Sequence, residues 1–211
     1  MSLLTGITGG MGSGKTLVAS IFFEFGAHIL DADAICRKLV EPGQPALKEI
    51  SEYFGENIID EFGNLDRKKL AQIIFFDPKK KKTLEKILHP RVFEVENLEY
   101  KNICQQHPKA LVIIDAALLI ESGNYKKMDK IIVVNTDKKT QIERVLARSG
   151  LDYNEVVARI DSQMPISEKI KYADFVLDNS LDKNSLRKKV KNLHIELSIL
   201  AAENNWKNLL Y

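Results

Sequence analysis

Eight consecutive residues, Gly9-Gly10-Met11-Gly12-Ser13-Gly14-Lys15-Thr16, combine glycines, a lysine and a hydroxyl in the spacing that holds a polyphosphate. The glycines let the backbone curl so that successive N–H groups point at phosphate oxygens, and a helix that follows adds the positive end of its dipole. Lys15 can reach the outer phosphates and the Thr16 hydroxyl can hold magnesium. Gly10, Met11, Gly12, Ser13, Gly14, Lys15, Thr16 and Leu17 are therefore the expected binding run for a nucleoside triphosphate. The elements needed to position them are also legible. Leu3 to Thr8 reads as a buried strand, and Lys15 to Phe25 as a helix with Val18, Ile21, Phe22 and Phe25 on its inner face. Strand, loop and helix come in the required order; the alternative is a glycine-rich turn that binds nothing.

Further charged groups fall at the ends of other predicted elements. Ala27 to Leu30 is a short apolar run ending in Asp31-Ala32-Asp33, after which a helical pattern resumes through Ile35, Leu39 and Val40. In an open parallel sheet the carboxyl ends of the strands face the ligand, which brings Asp31 and Asp33 near the phosphate loop; otherwise one of them caps the next helix. Ala110 to Ile114 is an unbroken apolar run of the central-strand type, closing on Asp115. Asp115 stands where a second carboxylate of a magnesium shell belongs, unless it is an ordinary polar strand end. Glu121 is a further candidate for the cleft. Ile131 to Val134 reads as another strand, followed by a helix from about Lys138 to Arg148. That helix carries Arg144 and Arg148 one turn apart on a common face, suited to a lid over phosphates or to surface salt bridges. Asn154 to Gln163, with Arg159, and then Pro165 extend this region. Phe175 to Leu177 reads as a last short strand, and Leu181 onward as a long helix that runs into a tail ending in Trp206 and Tyr211.

From Glu41 to Cys104 the pattern is helical and polar, broken by Pro42-Gly43, Gly55, Gly63-Asn64, Asp77-Pro78 and His89-Pro90. It reads as a helical insertion on one edge of the sheet. Lys79 to Lys82 is either an anionic-ligand patch or a solvated face. His89, standing before proline, is either functional or simply the end of one helix and the start of the next. The balance of 31 basic against 29 acidic residues, +2 overall, gives no field that would imply nucleic acid. Two cysteines, Cys36 and Cys104, lie far apart, as expected of inert buried thiols in a reducing compartment without structural zinc. With no export signal and no apolar run near ~20 residues, a soluble, cytoplasmic protein without membrane contact or an obligate protein partner is expected.

The chain resembles the dephospho-coenzyme A kinases, the P-loop kinases of the last step of coenzyme A synthesis. The resemblance runs from Gly6 to about Ser180 and rests on motifs in the family's order: Gly6 to Thr16, Asp31-Ala32-Asp33, Glu41-Pro42-Gly43, Leu65-Asp66-Arg67 and Leu88-His89-Pro90. Asp115 through Glu121, Gln141 to Arg148, Gln163-Met164-Pro165, and Ala173-Asp174 through Asn179 complete the set. It implies an α/β, three-layer P-loop nucleotide kinase fold with a parallel sheet, a helical substrate-binding insertion and a helical lid. The expected division is one domain over 1–211, with a core near 1–40, 110–137 and 173–211, an acceptor-binding insertion over 41–109 and a lid over 138–172. It further implies transfer of the ATP γ-phosphoryl group, with Mg2+, to the ribose 3′-hydroxyl of dephospho-coenzyme A. Asp33 is then the carboxylate that accepts the hydroxyl proton, and Lys15 and Arg144 stabilise the transferring group, with Arg148 as a further lid residue. Leu65, Arg67, His89, Asp33 and Asp115 are the expected acceptor side, and Thr16 and Asp115 the metal ligands. Two positions depart from the family: Ala117 stands where proline is usual, and Ser180-Leu181 where a glycine is common. A kinase of a nucleoside or nucleoside monophosphate would share loop, lid and carboxylates. A GTP-dependent switch would carry an Asn-Lys-x-Asp element, which is absent.

Overall fold

In the computed structural model, which describes residues 2–180 and 182–207, the opening apolar run is strand β1 (Leu3–Gly9), and the glycine-rich turn leads into helix α1 (Lys15–Glu24). There follow β2 (His28–Asp31), α2 (Ala32–Leu39), α3 (Pro45–Phe54), α4 (Arg67–Phe75) and α5 (Pro78–Gln106). β3 (Leu111–Asp115), β4 (Lys130–Asn135), α6 (Lys138–Ser149), α7 (Tyr153–Asp161), α8 (Ile166–Ile170), β5 (Phe175–Asp178) and α9 (Lys183–Lys207) complete the chain. Leu181, where the last helix was expected to open, and the terminal Tyr211 lie outside the described residues, as does the Trp206 side chain.

The chain divides into two units, residues 1–31 with 99–211, and Ala32–Leu98. The first unit is built on a five-stranded sheet in the order β2-β3-β1-β4-β5, parallel throughout. β3 and β1 are buried along nearly their whole length, and β3 reads as a continuous apolar run up to Asp115 because helices or loops cover both sheet faces, while β1 carries Thr5 and Thr8 among its apolar residues. On one face Leu3, Ile7, Leu111, Ile113, Ile132 and Val134 join Val18, Ile21 and Phe22 of α1 and Leu186, Val190, Leu193 and Leu197 of α9. On the other, Leu119 and Met128 close over Gly6, where a Cβ would lie 2.4 Å from Leu119 Cδ2, and α8 meets β4. The register sets Asp31 beside Asp115 and Ile7 beside Asp115 on its other side. Both carboxylates thus emerge at the edge of the sheet from which the phosphate loop springs.

The second unit is helical and has its own apolar cluster, Val40, Leu47, Ile50, Ile58, Leu70 and Ile87. Asp66 caps α4 by accepting from the Lys68 and Lys69 N–H groups, at 3.1 and 3.0 Å. The break expected at His89-Pro90 does not occur: α5 runs through Pro90. Proline removes one N–H from the helix ladder and crowds the preceding turn. Beside that disturbance the Arg91 guanidinium donates to the Ile87 carbonyl at 2.6 Å and to Glu49 Oε2 at 2.6 Å, holding the turn from its side. The two cysteines, expected to be buried, are both only half-buried.

Candidate active site

The phosphate loop owes its shape to two glycines in the left-handed region, Gly12 at φ 79° and Gly14 at φ 87°. Space is as restrictive as angle. A Cβ on Gly12 would lie 2.6 Å from the Gln141 carbonyl oxygen of α6, and one on Gly14 only 2.0 Å from Asn179 Nδ2. The Met11 side chain packs on the cluster of Ile142, Val145 and Val156, which ties the loop to α6 and α7. Asn179 Nδ2 donates to the Ser13 carbonyl at 2.7 Å, and the Met11 N–H donates to Gln163 Oε1 at 2.9 Å.

Helix α1 starts at Gly14 without a side-chain cap, whereas α4, α6 and α7 are each capped by an aspartate, Asp66, Asp137 and Asp152. An uncapped first turn keeps its N–H groups available for an anion, and the helix dipole favours one there. Two more polar atoms await a partner beside the loop: Arg144 Nη1 and Ser13 Oγ are buried without a hydrogen bond among the described residues. Arg144 Nη2 is already held by the Asn179 carbonyl at 3.0 Å, so half of the guanidinium fork is anchored and half is open. A buried donor left unmade is costly, and phosphate oxygens would satisfy it. Arg148, one turn further along α6, is exposed.

Lys15, at the first position of α1, forms an ion pair with Asp115 at the tip of β3, and both side chains are largely buried. The Thr16 residue is exposed beside it. Hydroxyl and carboxylate are oxygen donors of the kind that suit Mg2+. Asp115 is 3% exposed.

Three residues of this neighbourhood were not among the site residues read from sequence. Asn179 and Gln163 lay within recognised motifs, yet only the fold shows that both grip the phosphate loop. Lys169 carried no signal, since it stands among other charged residues, Glu168 and Lys171. It is fully buried, bonded to the Ala117 carbonyl at 2.7 Å and paired with Glu121 Oε1 at 3.0 Å. Burial pushes its pKa below the ordinary lysine value, an effect that Glu121 opposes and Lys15 adds to.

The other expected site residues belong to the helical unit. Asp33 is exposed in the first turn of α2. Asp33, Arg37 and Arg67 all act on the Cys36 thiol, whose pKa is raised by burial first and by Asp33 second, against the two arginines. Arg67 Nη2 also donates to the Arg37 carbonyl at 3.3 Å. Leu65 bridges Ile59 and packs on the unit's apolar cluster. His89 stacks on Phe93 with ring centroids 5.8 Å apart, and burial lowers its pKa against the pull of Glu85.

Comparison with known proteins was consistent across sequence and structure. The family model described as dephospho-CoA kinase matches residues 3–185. The dephospho-CoA kinase of Aquifex aeolicus is 42% identical over 194 residues, 92% of this chain and 96% of that protein. That of Methylococcus capsulatus is 38% identical over 95% of this chain and 99% of its own. Among solved structures, TT1252 from Thermus thermophilus superposes with a TM-score of 0.80 at 34% identity, covering 93% of this chain and 98% of that one. Dephospho-CoA kinase from Campylobacter jejuni gives 0.68 at 29% identity, covering 94% and 98%.

Proposed function

The chain belongs to the dephospho-CoA kinase family, and on that premise we propose that it transfers the γ-phosphoryl group of ATP to the ribose 3′-hydroxyl of dephospho-CoA, giving CoA and ADP. The hydroxyl oxygen bonds to the γ-phosphorus, the bond to the β–γ bridging oxygen breaks, and the hydroxyl proton passes to Asp33. Phosphoryl transfer needs positioning and charge neutralisation more than covalent help from the protein. The observation that carries the reading is Arg144: one nitrogen is fixed by Asn179, and the other is buried and unpartnered among the described residues beside the phosphate loop. Such a group is set to receive the charge that develops on the transferring phosphoryl.

In this reading the uncapped turn of α1 and the loop amides hold the β- and γ-phosphates, and Lys15 leaves Asp115 for the phosphate oxygens. Thr16 and Asp115 would hold Mg2+, whose preference for oxygen donors they suit. When bound, the ion neutralises charge on the phosphate oxygens. Asp33, Leu65, Arg67 and His89 serve the acceptor, and α6 to α8 form the lid over residues 138–172. ATP and dephospho-CoA are the only partners required. Among the described residues no helix is long and apolar enough to cross a membrane, and a soluble cytoplasmic setting suits both substrates.

A coupled ADP-release assay across dephospho-CoA, AMP and nucleosides tests this. Turnover that is fastest with dephospho-CoA is expected; no turnover of it with ATP and Mg2+ present overturns the reading.

A further inference from the structure

Among the described residues Lys169 is the one lysine whose side chain is 0% exposed in an ion pair, and the reaction outlined above gives it no task. A buried ammonium is stable only where all three of its N–H bonds find acceptors. Here they do: the Ala117 carbonyl at 2.7 Å, Glu121 Oε1 at 3.0 Å and Thr8 Oγ1 at 3.5 Å. Each acceptor abuts a different part of the phosphate site. Thr8 is the residue before Gly9, at the root of the phosphate loop, and its hydroxyl donates to the same Ala117 carbonyl at 3.0 Å. Ala117 lies two residues beyond Asp115, in the turn by which the chain leaves β3. Glu121 also accepts from the Met164 N–H at 3.3 Å, next to Gln163, whose side chain holds Met11 of the loop at 2.9 Å.

We propose that Lys169 is a positioning residue for phosphoryl transfer: from α8 it locks the turn after β3 onto the end of β1 and so fixes Asp115 relative to Lys15 and the phosphate loop. The inference rests on the kinase function given above. The physical case is that the turn after β3 has no regular ladder to hold it, while its carboxylate must stay in register with a loop on the neighbouring strand. Backbone pairing fixes Asp115 beside Ile7, and its last bond runs from the Ala116 N–H to the Ile7 carbonyl at 3.1 Å. Beyond that point two donors hold the Ala117 carbonyl among the described residues, Thr8 Oγ1 and Lys169 Nζ. A neutral residue at 169 would leave the Glu121 carboxylate without its cation and release one of those two. Misplacement of a catalytic group by about 1 Å is enough to cost on the order of a hundredfold in rate.

The test compares Lys169→Met, similar in length but uncharged, with the parent protein, and repeats the comparison in an Asp115→Asn background. In the parent background kcat is expected to fall at least about tenfold, while KM for dephospho-CoA and the dissociation constant for ATP move less than about threefold. In the Asp115→Asn background the same change should cost less than about threefold, because Lys169 acts through Asp115. Equal costs in the two backgrounds, or an unaltered kcat in folded Lys169→Met, overturn the inference. If Lys169→Met does not fold, Glu121→Gln takes its place: it keeps a neutral acceptor for Lys169 and Met164 and should give the same pattern at a smaller amplitude, and additivity with Asp115→Asn again overturns it. A parent protein that fails to phosphorylate dephospho-CoA refutes the kinase function itself and is recognised before any variant is made.

Discussion

At Gly14, angle and space exclude a side chain together: φ is 87°, and the room for a Cβ is taken by Asn179 Nδ2. The same asparagine holds the Ser13 carbonyl with its side chain and Arg144 with its own carbonyl. One residue after β5 therefore couples the shape of the phosphate loop to the aim of the arginine. From this we expect Arg144→Ala to lower kcat at least about a hundredfold while changing acceptor KM much less, since the open guanidinium nitrogen acts on charge that develops in transfer. Arg144→Lys should recover little of the loss, because one ammonium cannot serve the Asn179 carbonyl and a phosphate in the geometry of a fork. Steady-state kinetics on both variants decide this, and a larger effect on acceptor KM than on kcat would make Arg144 a binding residue. Asp33→Asn keeps the size and polarity of an exposed side chain and removes only its basicity. It should lower kcat by about a hundredfold or more with ATP affinity nearly intact; near-parental turnover would leave Asp33 without a role as base. Legibility in the sequence divides along the same line. Lys15 and Thr16 stand in one contiguous glycine-rich run, so their spacing is visible in the sequence alone. Asn179 and Lys169 were not legible there, because their partners at Ser13 and Ala117 lie far away in sequence and only the fold brings them close.

The strands were easier to read than the helices, for a physical reason. β3 and β4 are buried through their middles, so their apolar runs are continuous and end in polar residues, Asp115 and Asn135, at the sheet edge. α5 shows the opposite case: Pro90 signals a break locally, yet the helix continues with Arg91 bracing the turn from Glu49. α8 is too short to show a period, and its principal anchor is a buried lysine, which no apolar pattern announces. α7 opens on a cap instead. Asp152 accepts from the Glu155 N–H at 2.9 Å, and Glu155 Oε2 accepts from the Asp152 N–H at 3.2 Å, a reciprocal box that fixes the start of the helix. Behind it, Val156 packs with Ile142 and Val145 against Met11 of the phosphate loop. Removing the cap by Asp152→Ala should destabilise the protein by about 1 kcal/mol and lower Tm by about 2–4 °C, whereas Asp152→Asn, itself a good cap, should cost much less. Thermal melts at neutral pH compare the two; equal losses would show that the cap contributes nothing and that α7 is held by its apolar face alone.

Each unit of the molecule carries histidines that burial holds below their ordinary value of 6.5: His28 and His194 in the sheet unit and His89 in the helical unit. For His28 the charge of His107, with ring centroids 5.0 Å apart, adds to the effect; for His89 the pull of Glu85 opposes it. His194 sits against Phe22 and Phe25, at 6.2 and 5.8 Å between ring centroids, where a charged imidazolium would be poorly solvated. A histidine whose folded pKa is depressed stays neutral in the fold at a pH where the unfolded chain already takes up a proton. The unfolded state then binds more protons, so stability is fully present above the unfolded pKa and is lost as pH falls from about 6.5 towards the folded value. The aspartates Asp60, Asp137, Asp178 and Asp182 are shifted downward from 3.8, so their contribution is lost only at more acid pH and does not overlap this window. Tm should therefore decline between about pH 7 and about pH 5, with net proton uptake on unfolding. His194→Gln should flatten part of that decline by removing the group most enclosed by aromatic rings. A Tm that holds constant over this range, or a decline that His194→Gln leaves untouched, would place the acid sensitivity of the fold elsewhere than in these half-buried imidazoles.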